Sequence, residues 1–215
     1  MVRILIFDYG AGNLFSLESS LKRNGALVSI IKDFNNITED FDGLVLPGVG
    51  NFDPAIVSIN KCKRKFLNYI DKSIPVLGIC LGMEMLFERS EEGNLEGLKI
   101  IKGNVLTLPK EMIKIPHIGW NNLDIVNEKS KLFEGIPNSA WVYFVHSFYT
   151  LPKDVNIITA KSNYGISIPA SIEKDNIFCT QFHPEKSSIA GEKMIKNFIK
   201  ICEQSKWKVL LQLIW

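Results

Sequence analysis

Paired cysteines are missing from this sequence. Its 215 residues include four, Cys62, Cys80, Cys179 and Cys202, with no C-x-x-C pair and no evident disulfide framework. Also missing is any uninterrupted apolar stretch of bilayer-spanning length. The N-terminus shows no signal-peptide pattern, so no membrane association and a cytoplasmic location are expected. Neither sign of charge dominates. Lys and Arg number 25 against 23 Asp and Glu, and a net charge of +2 gives no reason to expect nucleic acid. Internal repeats, low-complexity tracts and interdomain linkers are absent as well. What remains is an ordinary globular composition, 46% apolar and 22% charged, with enough length for one domain and a substantial core.

The periodicity alternates between strand and helix. Strands are predicted at Arg3–Phe7, Leu27–Ile31, Gly43–Leu46, Val76–Ile79 and Ile177–Phe182. Helices are predicted over 13–24, over most of 53–71 and over 190–203, and the stretch 100–172 is richer in short strands, turns and aromatics. Alternation of this kind predicts an α/β fold with an open, mostly parallel central sheet flanked by helices. Such sheets place their sites at the carboxyl ends of the strands.

One strand ends in an unusual way. In Val76-Leu77-Gly78-Ile79-Cys80-Leu81-Gly82 an apolar run stops at a cysteine set between glycines, and a helix-like segment, 83–89, follows. This is a cysteine version of the G-x-S-x-G nucleophile elbow, whose sharp turn needs small neighbours. A helix N-terminus at that point would favour a thiolate. A base candidate follows in Phe182-His183-Pro184-Glu185. In an extended chain residues i and i+2 point the same way, so Glu185 is placed to orient the His183 imidazole. A lone histidine is more often a satisfied core or surface residue, but the elbow and the H-P-E order together reverse those odds. Gly43-Leu44-Val45-Leu46-Pro47-Gly48-Val49-Gly50 reads as a buried strand breaking into a loop, taken alone an ordinary strand-ending turn; beside the elbow, its backbone N–H groups, with that of Leu81, could instead face an oxyanion. Cys179 and His183, four apart, suggest half of a metal site, but Cys179 falls in a strand and reads as structural.

Together with Asp8-Tyr9-Gly10-Ala11-Gly12-Asn13, Pro116-His117-Ile118-Gly119-Trp120-Asn121, Tyr143-Phe144-Val145-His146-Ser147 and His183-Pro184-Glu185-Lys186-Ser187-Ser188, these segments resemble the class I (triad) glutamine amidotransferases, and among them the glutaminase subunits of imidazole glycerol phosphate synthase. The match runs over about residues 2–200. The Gly10-Ala11-Gly12 stretch is not a dinucleotide fingerprint, because Phe15 stands where the third glycine belongs.

The resemblance implies a flavodoxin-like fold over 1–203 and glutamine hydrolysis through a Cys80 thioester, with His183 as base and Glu185 as its orienter. It implies an oxyanion and substrate site at Gly48, Val49, Gly50, Leu81, residue 84, Ser147 and Phe148. Asn13, Trp120, Asn121, Tyr143 and Lys186 match positions at or near the face toward the partner, a (β/α)₈-barrel synthase subunit forming a heterodimer. That partner uses the ammonia to make imidazole glycerol phosphate and an aminoimidazole ribotide in histidine biosynthesis. Neither a metal nor a cofactor is implied. One position departs: Glu84 stands where the family usually has glutamine. It is read either as a charge that raises the Cys80 pKa and pairs with the substrate ammonium, or as a tolerated isostere. The departure keeps open a diverged copy supplying ammonia for amidation of an acetamido sugar in surface-polysaccharide synthesis. The complete triad opposes a non-catalytic regulatory subunit, and the interface motifs oppose a cysteine peptidase. The apolar tail, 204–215, is too short to span a membrane and has no readable role.

Overall fold

Three short strands with no polar side chain set the frame of the molecule. Gly43–Leu46, Val76–Ile79 and, up to its closing threonine, Ile177–Thr180 are buried at every position, as expected for parallel strands covered on both faces. The computed structural model describes residues 1–10, 14–37 and 40–212, without the side chains of Asn36 and of 206–212. In chain order the elements are β1 (Arg3–Phe7), α1 (Phe15–Arg23), β2 (Leu27–Ile31), β3 (Gly43–Leu46), α2 (Phe52–Asn60), α3 (Lys63–Asp71), β4 (Val76–Ile79) and α4 (Leu81–Glu84). There follow β5 (Arg89–Ser90), β6 (Gly103–Thr107), β7 (His117–Asn122), β8 (Asp124–Ile125), β9 (Trp141–His146) and β10 (Phe148–Pro152). The chain closes with β11 (Ile158–Tyr164), β12 (Ile166–Lys174), β13 (Ile177–Thr180) and α5 (Ser188–Gln212).

The main sheet has the order β2-β1-β3-β4-β13-β12-β11-β8. From β2 to β13 every pairing is parallel, and from β13 to β8 every pairing is antiparallel. Successive side chains of a strand leave on opposite faces. Ile4 and Ile6 of β1 therefore pack with Leu17 and Leu21 of α1 and Phe198 of α5, whereas Leu5 and Phe7 pack with Ile56 of α2 and Phe66 of α3. The result is a helix–sheet–helix sandwich. Two small sheets, β10-β6-β5 and the antiparallel pair β7-β9, lie outside the main one.

The expected strands and the α/β class are present, with differences at the edges. The predicted stretch 53–71 is two helices, broken at Lys61–Cys62. The helix after Cys80 is four residues long rather than the segment 83–89, because the chain turns at once to supply β5. The last helix runs on to Gln212, past the expected end at residue 203, so the backbone of the first part of the tail is helical. No helix among the described residues is long and apolar enough to cross a membrane.

Candidate active site

β3, β4 and β13 are adjacent and parallel, so their carboxyl ends open on one side of the sheet. That register brings three distant segments together. β3 delivers Pro47–Gly50, β4 delivers Cys80, and β13 runs into Gln181–Glu185. The Cys80 N–H still donates to the Thr180 carbonyl (2.7 Å), after which Cys80 itself turns out of the sheet at φ +46°, ψ −108°. A non-glycine residue at positive φ is strained, and strain of this kind is held in place by the packing around a nucleophile elbow. The glycines have a steric reason. A Cβ on Gly82 would overlap the Leu46 carbonyl oxygen, and one on Gly78 would lie 3.0 Å from the Gly82 oxygen.

Cys80, His183 and the glycine loop meet at a cavity of about 340 Å³, a volume suited to a small ligand. Gly48, Val49, Gly50, Leu81, Glu84, Ser147 and Phe148 line it with them. A Cβ built on Gly48 would lie 2.8 Å from His183 Cε1 and 3.0 Å from Cys80 Cβ, so the loop packs closely against both residues. A groove of about 600 Å³ beside β2 is larger, but it is lined by residues such as Lys22, Ser29 and Asp40 and holds neither thiol nor imidazole.

His183 Nδ1 lies 2.8 Å from Glu185 Oε1, with both side chains buried. A carboxylate accepts, so Nδ1 carries the proton and Nε2 is left as the basic nitrogen. Nε2 is buried and has no hydrogen-bond partner among the described residues. The pair forms through a different backbone from the expected extended run. Pro184–Lys186 make a 3₁₀ turn, and the Ser187 hydroxyl, donating to the His183 carbonyl (2.6 Å), ties that turn down.

The thiol does not behave as its position at a helix start suggests. Burial pushes its pKa well up and Glu84 pushes it further, against smaller opposing contributions from the Leu81 N–H and the Gln181 side chain. A four-residue helix has little dipole to set against desolvation. Cys80 therefore rests as a thiol and needs His183 to take its proton.

Glu84 is 3% exposed, and burial, reinforced by Glu92, raises its pKa to about 8. At neutral pH it is a neutral carboxyl that keeps one O–H donor, so of the two sequence readings the geometry favours the uncharged isostere. Burial gives a sign to the pH dependence of stability. The native state holds a proton that the unfolded carboxyl releases above about 4.5, so this group lowers stability as pH rises from there to about 8. Glu84→Gln is expected to remove that slope. Its advantage in Tm over the parent should widen between pH 5 and pH 8 and level off above, which thermal melts across that range will check.

Other groups at the site were not singled out from sequence. Gln181 Nε2 lies 3.5 Å from Cys80 Sγ, and the same side chain draws the Glu84 pKa down against its burial. Its only sequence signal is an amide two residues before the base; its complete burial is seen in the structure. The Tyr9 hydroxyl donates to the Pro47 carbonyl at the start of the glycine loop. Glu92, Pro116, Val145 and His146 also line the cavity. Trp120 and Lys186 are exposed, Tyr143 and Asn121 are half-buried, and Asn13 lies outside the described residues. Cys62, Cys179 and Cys202 are free and buried away from the cavity, and no cluster of three or more metal-ligating side chains occurs among the described residues.

Residues 5–202 match the family model of class-I glutamine amidotransferases. The chain is 46% identical, over 94% of its length and all of that protein's, to the imidazole glycerol phosphate synthase subunit HisH of Methanosarcina barkeri. The chain belongs to the class-I glutamine amidotransferases. It is also 50% identical, over 90% of its length and 95% of the relative's, to the HisH subunit of Caldanaerobacter subterraneus. Among solved structures, a GMP synthase subunit from Thermoplasma acidophilum superposes with a TM-score of 0.72 at 22% identity, covering 99% of this chain and 98% of that one. At that identity the likeness speaks for the fold, and this amidotransferase shares the α/β architecture of its relatives.

Proposed function

We propose that this amidotransferase is the glutaminase subunit of an imidazole glycerol phosphate synthase, with Cys80, His183 and Glu185 as its triad. The observation that carries the reading is the meeting of a strained, buried thiol with the free Nε2 of a carboxylate-oriented imidazole at one small cavity. His183 Nε2 takes the thiol proton, and Cys80 Sγ attacks the side-chain amide carbon of glutamine. The Val49 and Leu81 N–H groups receive the negative oxygen of the tetrahedral intermediate. As it collapses, His183 returns the proton to the departing nitrogen, releasing ammonia and leaving a thioester. Water, deprotonated by His183 Nε2, then attacks the thioester and releases glutamate, and the same imidazole returns the proton to the Cys80 thiolate.

The ammonia goes to a (β/α)₈-barrel synthase subunit in a cytoplasmic heterodimer. Support for a docking face comes from the β7–β9 pair. Ile118 opposes Val145 and Trp120 opposes Tyr143, so these four share one face, and the Trp120 and Tyr143 rings meet edge-on at 5.9 Å. Ile118 (59%), Trp120 (49%) and the neighbouring Trp141 (60%) are exposed far beyond what large apolar side chains need. This face adjoins the site directly, since the His183 N–H donates to the Tyr143 carbonyl (2.9 Å). Glutamate release is measured for the chain alone and with a barrel synthase subunit carrying its nucleotide ligand. A large rise on adding the liganded partner is expected. No rise, with a partner competent on free ammonium, overturns the histidine assignment.

A further inference from the structure

The chain has three histidines, and two of them, His117 and His146, have no part in the reaction as derived above. Both are nearly completely buried, at 3% and 5% exposure. They sit opposite each other at the cavity end of the β7–β9 pair. His117 Nδ1 is 2.9 Å from His146 Nε2, and His146 Nδ1 is 2.7 Å from the Phe148 carbonyl oxygen. The His117 ring is stacked between Tyr164 (3.9 Å) and Phe144 (4.7 Å), which fixes its plane.

Chemistry orders this chain of contacts. The Phe148 carbonyl can only accept, so His146 carries its proton on Nδ1. Burial takes the His117 pKa down to about 4 and the His146 pKa down to about 3, so both rings are neutral. His146 Nε2 is then a lone pair, and His117 must donate to it from its own Nδ1. The polarity runs one way, from His117 through His146 to the Phe148 carbonyl, and each bond strengthens the next. The turn that receives it is held from the other side as well, because the Ser147 carbonyl accepts from the Leu108 N–H (3.0 Å). Ser147 and Phe148 line the cavity beside Cys80.

We infer that His117 and His146 are positioning residues: a directional pair of neutral imidazoles that holds the Ser147–Phe148 turn in the cavity wall beside Cys80, where the family resemblance sets it against the backbone groups of the bound glutamine. This deepens the glutaminase reading and rests on it. The pair acts on capture of substrate and leaves the thiol chemistry alone, since neither ring bonds to Cys80, His183 or Glu185.

Two measurements on the full chain test it. The first is ¹⁵N NMR of the histidine rings, assigned by single variants. His117 and His146 should both be protonated on Nδ1, the reverse of the tautomer that dominates in free histidine; Nε2–H on either overturns the chain of donors. The second uses His117→Phe, which keeps an aromatic ring between Tyr164 and Phe144 and removes the donor. KM for glutamine should rise roughly five- to tenfold, the worth of about one hydrogen bond, with kcat nearly unchanged. Alkylation of Cys80 by 6-diazo-5-oxo-L-norleucine, which carries the backbone groups of glutamine, should slow by the same factor. Alkylation by iodoacetamide, which lacks them, should not. His117→Gln, which keeps a donor, should recover most of the loss. A wild-type KM in His117→Phe, or equal slowing with both reagents, overturns the proposal. If His117→Phe does not fold, the tautomers decide alone. If the unmodified chain hydrolyses no glutamine with any partner, the glutaminase reading fails, and the tautomers and the two alkylation rates still decide the positioning role.

Discussion

Cys80→Ala is expected to lower glutamate release by about 10⁴- to 10⁶-fold, the loss seen when a triad nucleophile is removed. The size follows from the site. Cys80 is the cavity's thiol, it lines that cavity with His183, whose Nε2 is without a partner among the described residues, and its backbone is already held at φ +46°. Alanine keeps the Cβ and hence the packing against Gly48, so the elbow stays folded. His183→Ala should fall by a similar factor, because a thiol whose pKa is pushed up by burial does not ionise unaided near neutral pH. The double variant should fall no further than Cys80→Ala, since nucleophile and base act as a unit. Glutamate release from the purified variants with the partner measures all three. A control with free ammonium in place of glutamine should retain synthase activity, which shows that the partner is competent, and co-elution of each variant with the partner on size exclusion shows that it still docks. If Cys80→Ala keeps more than a few per cent of the glutaminase rate, the thioester route is wrong.

Gly48→Ala carries the second large effect. The added methyl would meet Ile79 O at 2.9 Å, His183 Cε1 at 2.8 Å and Cys80 Cβ at 3.0 Å. The first of these is backbone of β4 and cannot yield, so the loop itself must shift and carry the Val49 N–H with it. Loss of one oxyanion donor costs about 10²- to 10³-fold in kcat, and a fall of that size is expected here. Gly43→Ala is the matching control. It lies at the opposite end of the same strand, and its methyl would run into Cys202 Sγ of α5. It should lower Tm and leave kcat within about twofold, because a packing defect far from the reacting atoms changes stability more than rate. Steady-state kinetics and thermal melts on the two variants separate the effects. Equal kcat in Gly48→Ala and the parent would remove the loop from the oxyanion site.

Both expectations began with residues that are close in sequence. The glycines around Cys80, the strand–Pro–Gly break at 47–50 and the H-P-E order are local signals, each imposed by a turn that the chain must make within a few residues. The parallel strands were legible for a similar reason, since a strand buried on both faces has to be apolar throughout. The α/β alternation then located the site at the strand ends before any contact was known.

Where a residue's state depended on its surroundings, the sequence was silent or misleading. The Cys80 thiol looked activated from its place at a helix start. The tertiary structure buries it beside Glu84 and shortens that helix to four residues, and desolvation outweighs the dipole. Glu84 was readable either as an added charge or as an uncharged isostere, and burial decides for the neutral form near pH 7. Gln181, a polar residue just past the end of an apolar strand, acquired meaning once β13 had been laid beside β4. The link from His117 to His146 spans 29 positions and exists because β7 and β9 pair in one register. The residues proposed for the chemistry are marked by short-range geometry and are legible in the order of the chain. Their protonation, and what holds them, depends on which segments exclude water from which side chains, and the packing of distant elements alone decides that.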